Sequence, residues 1–173
     1  MDDSELRTSF MCHLTGKDGE TLDKLLSEVD YEKASAFFEE KLEMDLKLFN
    51  GLKPFYLSNL LYPSMIEGKM KSYELHLTSL AQELGKEIEG LETVEFQVGL
   101  FDNIPVKEQA AMFMDLVNSF EKNQKMFAEM VKFYKQKDPE VLYRYMVENM
   151  ADYKKYKDIL LDTRNENWVQ KLN

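Results

Sequence analysis

The sequence is poor in glycine and proline. Glycine (7) and proline (4) make up about 6% of its 173 residues, roughly half of their usual share. So few turn-formers exclude a fold of many short strands, a collagen-like repeat and a flexible linker. Cys12 is the only cysteine, so no internal disulfide can form, which is compatible with any compartment. His13 and His76 are the only histidines. No apolar run approaches the ~18 residues of a membrane-spanning helix, and no basic start leads into an apolar signal core. Basic charge is also short: Lys+Arg 22 against Asp+Glu 32 leaves a net charge of −10. A surface this acidic repels phosphate backbones and anionic membrane, so no nucleic-acid partner is expected. The densest basic stretch, YKKYK from Tyr153 to Lys157, lies between Asp152 and Asp158 and reads as a solvated helix face. HExxH, paired cysteines, a glycine-rich phosphate loop and GxSxG are all missing.

What remains is a composition of 44% hydrophobic and 31% charged residues, suited to a folded chain. The length fits one domain over residues 1–173. Gly16-Lys17-Asp18-Gly19 is a turn signal. Beyond it the spacing predicts helices: one capped by Thr21 with Leu22, Leu25, Leu26 and Val29 on one face, and one capped by Asp30 presenting Ala34, Phe37, Phe38 and Leu42. Shorter segments follow at Leu46 to Leu52 and Pro54 to Leu61, punctuated by Pro63 and Gly68. Ser72 opens a further helix that Gly85 closes.

Lys86 to Glu92 alternates polar with small or apolar residues and is the best strand candidate. Thr93 then caps Val94 to Phe101, and Pro105 starts a pattern of apolar steps of four and three. Unbroken to residue 136, that helix would span about 48 Å, so it crosses the whole molecule or breaks near Glu121 to Gln124. Its wide Phe/Met face reads as core, or as an adaptable binding groove. Asp138-Pro139 caps another helix, and a last one runs from about Asp152 nearly to Asn173. The fold class is mainly α: a multi-helix array with at most one or two short strands, about residues 86–92.

Few residues stand out chemically. Cys12 as a nucleophile needs a nearby base, and its neighbour His13 usually diverges from it. His76, between Leu75 and Leu77, reads as a surface or structural histidine rather than a metal ligand. Glu92 differs by position, since it ends the strand candidate and precedes a helix N-terminus, where negative charge is favoured.

The stretch GLETVEFQVGLFDNIPVKEQ, Gly90 to Gln109, resembles the central signature of the TraB/GumN family. Its parts are Gly90-Leu91-Glu92-Thr93, Gln97, Leu100-Phe101-Asp102, Pro105 and Gln109. ILLDTRNENWVQKL, with Arg164-Asn165 and Trp168, resembles that family's RNxxW helix. LKPFYLSNLLYP, Leu52 to Pro63, resembles its Lys-Pro-aromatic helix. The family is similar to the TIKI metalloproteases, and its implied chemistry depends on two GxxH motifs, neither of which occurs here. The resemblance therefore implies the helical middle of a larger α/β domain, a central fragment of a metal-dependent peptidase-like hydrolase.

Carried over residue by residue, Glu92 and Arg164 become polar members of the active cleft, with Gln97 and Asn165 supporting them. Glu92 would be a metal ligand or general base, and Arg164 would hold a substrate carboxylate or stabilise an oxyanion. Glu92 is the only candidate ligand for the divalent metal implied for the full family domain. No cofactor is expected for this chain alone, which is expected to be catalytically silent. The resemblance also suggests a peptide or protein substrate and a periplasmic or cell-envelope location. The alternative is a non-catalytic helical peptide- or protein-binding module. A homodimer through the orphan strand or through exposed apolar helix faces is a further expectation.

Overall fold

The structure, a computed structural model, describes residues 14–16, 19–66, 71–149 and 155–172. The readings on Cys12, His13, Lys17, Asp18, Gly68, Asp152, Tyr153, Lys154 and Asn173 lie outside the described residues. Within them the chain is helical, with no sheet. Nine α-helices run in order: α1 Leu22–Leu25, α2 Glu28–Leu42, α3 Pro54–Leu61, α4 Tyr73–Glu83, α5 Val94–Gly99, α6 Val106–Asn118, α7 Phe120–Lys135, α8 Pro139–Asn149 and α9 Thr163–Leu172. Short 3₁₀ turns follow α2, α3 and α5, and one π-helical turn, Asp158–Asp162, leads into α9. The only β pairing among the described residues is the isolated antiparallel bridge Thr15–Leu52.

Local signals set many boundaries. The Ser72 hydroxyl accepts from Leu75 N–H at 3.2 Å. At the other end of α4, Gly85 takes the left-handed conformation (φ 61°). There Gly85 N–H donates to Gln82 O and Lys86 N–H to Ala81 O, the paired closure that glycine allows without a Cβ penalty. Thr93 Oγ1 accepts from Phe96 N–H at 3.1 Å. Asp138 Oδ1 accepts from Glu140 and Val141 N–H. Pro54 occupies the first turn of α3, where its missing N–H costs nothing.

Tertiary contacts move other boundaries. Thr21 makes no side-chain cap. Instead Asn50 stitches the start of α1, its carbonyl accepting from Leu22 N–H and its side chain exchanging bonds with Asp23. The cap of α2 is Ser27 rather than Asp30, because Ser27 Oγ accepts from Asp30 N–H at 3.2 Å and donates to the Asp30 carboxylate at 2.7 Å. Val29 is 74% exposed, off the buried face. The long helix breaks at Ser119 (φ −113°, ψ 21°), just before the polar cluster at 121–124. The break lets Phe120 turn inward, where its ring meets Phe37 edge-on at 5.0 Å.

The strand expected at Lys86–Glu92 does not form. With no neighbouring strand to pair with, the segment runs irregularly and mostly exposed, and the dimer expected through its edge loses that edge.

The core sits between α2, α3 and α6. Phe38 and Phe113 are fully buried and meet edge-on at 5.9 Å. Leu22, Ala34, Leu57, Leu61 and Val117 fill in around them. The expected Phe/Met face divides in two: on α6, Phe113, Met114, Leu116 and Val117 are buried, whereas on α7, Met126, Phe127 and Met130 are only half-buried. Among the described residues no helix is long and apolar enough to cross a membrane.

Candidate functional site

Arg164, Trp168 and Lys171 recur at steps of four and three on α9, so they share one face. That face meets the irregular segment ahead of α5. Arg164 Nε donates to Glu92 Oε2 at 3.1 Å, and its Nη2 donates to Glu92 Oε1, making a two-pronged pair. Trp168 Nε1 donates to Glu92 Oε2 at 3.3 Å. Lys171 Nζ donates to the Gly90 and Leu91 carbonyls, both at 3.1 Å. The guanidinium lies over the Trp168 ring, 4.9 Å from its centroid, a favourable cation–π distance. The π turn gives Arg164 a further anchor, since Nη1 donates to Leu160 O at 3.0 Å. Such widened turns are rare and recur at functional sites.

The pair is largely enclosed, with only 14% of the Arg164 and 12% of the Glu92 side chain exposed. The Arg164 hydrogen bonds hold the Glu92 carboxyl below its ordinary pKa, against the opposing push of burial, with help from the Arg164 charge and Trp168. Glu92 is therefore a fixed carboxylate with both oxygens taken. A divalent metal fits it badly, because the adjacent guanidinium repels a cation and already bonds each carboxylate oxygen. Among the described residues, no group of three or more His, Cys, Asp or Glu is placed to hold one.

The structure thus brings Glu92 and Arg164 together across 72 positions. The other two candidates do not join them: Gln97 on α5 and Asn165 on α9 are exposed and take no part in the Glu92 hydrogen bonds. His76 is exposed on α4.

A second polar cluster uses residues whose roles spacing does not disclose. Lys53, 5% exposed, forms an ion pair with Asp102. Phe55 stacks on Phe101 with centroids 3.9 Å apart. Gln109, 2% exposed, donates to Phe101 O at 3.1 Å and Ile104 O at 2.9 Å, and accepts from Phe55 N–H at 3.4 Å. These contacts clip the 3₁₀ turn Leu100–Asn103 to α3 and α6. A cavity of about 180 Å³ lies beside them, smaller than the usual small-molecule site.

Tyr56 hydroxyl donates to Val98 O at 3.3 Å. Burial, then the Asp102 charge, pushes its pKa from 10.0 up to about 12. The protonated phenol is the form that the fold favours, so its contribution is complete below pH 10.0 and is lost as pH rises towards 12. Tyr56→Phe is expected to flatten the fall in urea midpoint across that window. An unchanged fall would assign it elsewhere, for instance to Tyr145, also raised to about 12.

In its described part the basic stretch is a solvated face only in part, with Lys155 exposed but Tyr156 turned inward. Tyr156 is 6% exposed, its hydroxyl and Lys155 Nζ both donate to Glu108 on α6, and Lys157 pairs with Asp162. These ties hold the approach to α9 against α6.

A cleft of about 300 Å³ lies between α3, α6 and α7, lined by Met65, Met112, Met126, Phe127 and Met130 among others. The TraB/PrgY/gumN family model matches residues 1–173. No curated protein and no solved structure matches the chain.

Proposed function

The chain belongs to the TraB/PrgY/gumN family, and we propose that it forms the helical portion of a peptidase-like hydrolase, with Arg164 as a substrate-facing cation that Glu92 positions. The observation that carries this reading is the two-pronged Glu92–Arg164 contact. Three of the five guanidinium N–H groups are engaged, by Glu92 and Leu160. The remaining two can receive a peptide carbonyl, a substrate carboxylate or an oxyanion. Glu92, held ionised and bonded to Arg164 through both oxygens, orients that cation, and Trp168 fixes the plane of its guanidinium. In this reading the metal chemistry implied by the family resemblance belongs to GxxH histidines that this sequence does not contain.

The chain alone is then expected to cleave no peptide, with or without added zinc, manganese or cobalt. Metal-dependent cleavage abolished by Glu92→Ala would overturn this.

One observation favours the non-catalytic binding module instead: the α7 half of the Phe/Met face lines a cleft rather than packing into the core. Saturable binding of an amphipathic helical peptide, lost in Met126→Lys, is the result that reading requires.

A further inference from the structure

Asn50 is the only asparagine of the chain that precedes a glycine, and an Asn-Gly pair carries its own chemistry. The glycine nitrogen, unhindered by a neighbouring Cβ, can attack the asparagine side-chain Cγ. The new C–N bond closes a five-membered succinimide and expels the side-chain nitrogen as ammonia. Water then opens that ring to aspartate or isoaspartate, and is the only other reactant. The fold does not demand glycine at this position. The φ of Gly51 lies outside the left-handed region, and a Cβ there would meet nothing within 4 Å.

Asn50 itself is held by backbone and side chain alike. It is in the right-handed helical conformation (φ −57°, ψ −27°), just after the 3₁₀ turn Leu46–Phe49. Its carbonyl accepts from Leu22 N–H at 2.9 Å. Its Oδ1 accepts from Asp23 N–H at 3.1 Å, and its Nδ2 donates to Asp23 Oδ1 at 2.6 Å. Ring closure needs the side chain released and ψ rotated until the Gly51 nitrogen faces Cγ. Both movements part the stitch to α1. That helix is a single turn of four residues with Leu22 its one buried anchor, a unit small enough to open locally ahead of the whole fold.

We propose that Asn50-Gly51 is a deamidation site gated by α1. The closed stitch keeps the amide unreactive, and each opening of α1 frees it, so the rate follows how often α1 opens. Reclosing cannot undo the reaction. Aspartate sets a second carboxylate where Nδ2 now donates to Asp23, and like charges repel. Isoaspartate adds a methylene to the main chain between two anchor points, the carbonyls of Asn50 and Gly51 that accept from Leu22 and Gly16 N–H. Either product loosens α1.

Peptide mass spectrometry of the full chain, aged in mildly alkaline buffer with and without guanidinium chloride, is the test. The unfolded chain is expected to deamidate at Asn50 at least tenfold faster than the folded one. Asp23→Ala removes the acceptor of Nδ2 and is expected to speed the folded-state reaction several-fold. Asp23→Asn keeps an acceptor oxygen and is expected to speed it less. Gly51→Ala is expected to suppress the reaction even in guanidinium chloride. Chain converted while unfolded and then refolded is expected to have a lower urea midpoint than before, whereas Gly51→Ala treated alike keeps its own. Equal rates in the folded and unfolded chain overturn the proposal. So does an Asp23→Ala rate no faster than wild type, or a urea midpoint that conversion of Asn50 leaves unchanged.

Discussion

Arg164→Ala is expected to lower the unfolding free energy by about 2–4 kcal/mol, slightly under the usual cost of breaking a buried ion pair because a little of this one reaches solvent. Alanine leaves the Glu92 carboxylate enclosed, with Trp168 as its one remaining side-chain donor. It also removes the Leu160 anchor and the stack on Trp168. The loss depends on pH. The folded Glu92 pKa is lowered from 4.5, so the pair contributes fully above the unfolded carboxyl pKa and is lost as pH falls through the folded one. The wild-type chain should therefore lose part of its stability in acid, and Arg164→Ala should flatten that loss. Urea unfolding at neutral pH and at about pH 3 measures both. A midpoint that Arg164→Ala leaves unchanged at neutral pH would reduce the pair to a surface contact.

Gln109→Ala is the second large effect, expected at about 2–4 kcal/mol. Each buried partner left without its bond costs roughly 1–3 kcal/mol, and the amide side chain serves three backbone groups. Phe101 O keeps the Ile104 N–H bond, so the loss falls chiefly on Ile104 O and Phe55 N–H. Glutamate is not a conservative replacement: it keeps the acceptor for Phe55 N–H but replaces the donor facing two carbonyls with a charged acceptor. Gln109→Glu is thus expected to cost at least as much as alanine at neutral pH and to recover in acid, once the carboxyl can donate. Equal stability of Gln109→Glu and wild type at neutral pH would contradict the assigned amide orientation.

The helical architecture was legible because its signals are local. Ser72, Gly85, Thr93 and Asp138 cap their helices with groups a few residues away, and such contacts need no knowledge of the tertiary structure. Where a partner comes from far along the chain, spacing misleads. Asn50 stitches α1 from 27 positions away, and the long helix breaks at Ser119, where Phe120 turns in to meet the distant Phe37. Lys86–Glu92 alternates like a strand, but alternation cannot supply a neighbouring strand. Tyr156 is buried, and its hydroxyl bonds Glu108 from 48 positions away, a partner that a locally basic stretch does not announce.

The site was legible only through resemblance. Nothing in residue spacing joins Glu92 to Arg164, and the carboxylate gives no local sign that both of its oxygens are taken. Lys171 was within reach, since it continues the Arg164–Trp168 face of α9 by one more step. Lys53, Asp102 and Gln109 stood in the matched motifs without a role. Their side chains support the fold around the 3₁₀ turn after α5, a purpose that becomes evident only when α3 and α6 are brought together.

A double-mutant cycle on Glu92 and Arg164, read by urea unfolding at neutral pH, tests most directly whether the carboxylate is committed to the guanidinium. Glu92→Ala, Arg164→Ala and the double variant are expected to give a coupling energy of about 1.5–3 kcal/mol, the double variant costing much less than the sum of the singles. Additivity within about 0.5 kcal/mol would mean that the two residues act independently, leaving Glu92 available as a base or a metal ligand and removing the basis for Arg164 as a positioned cation.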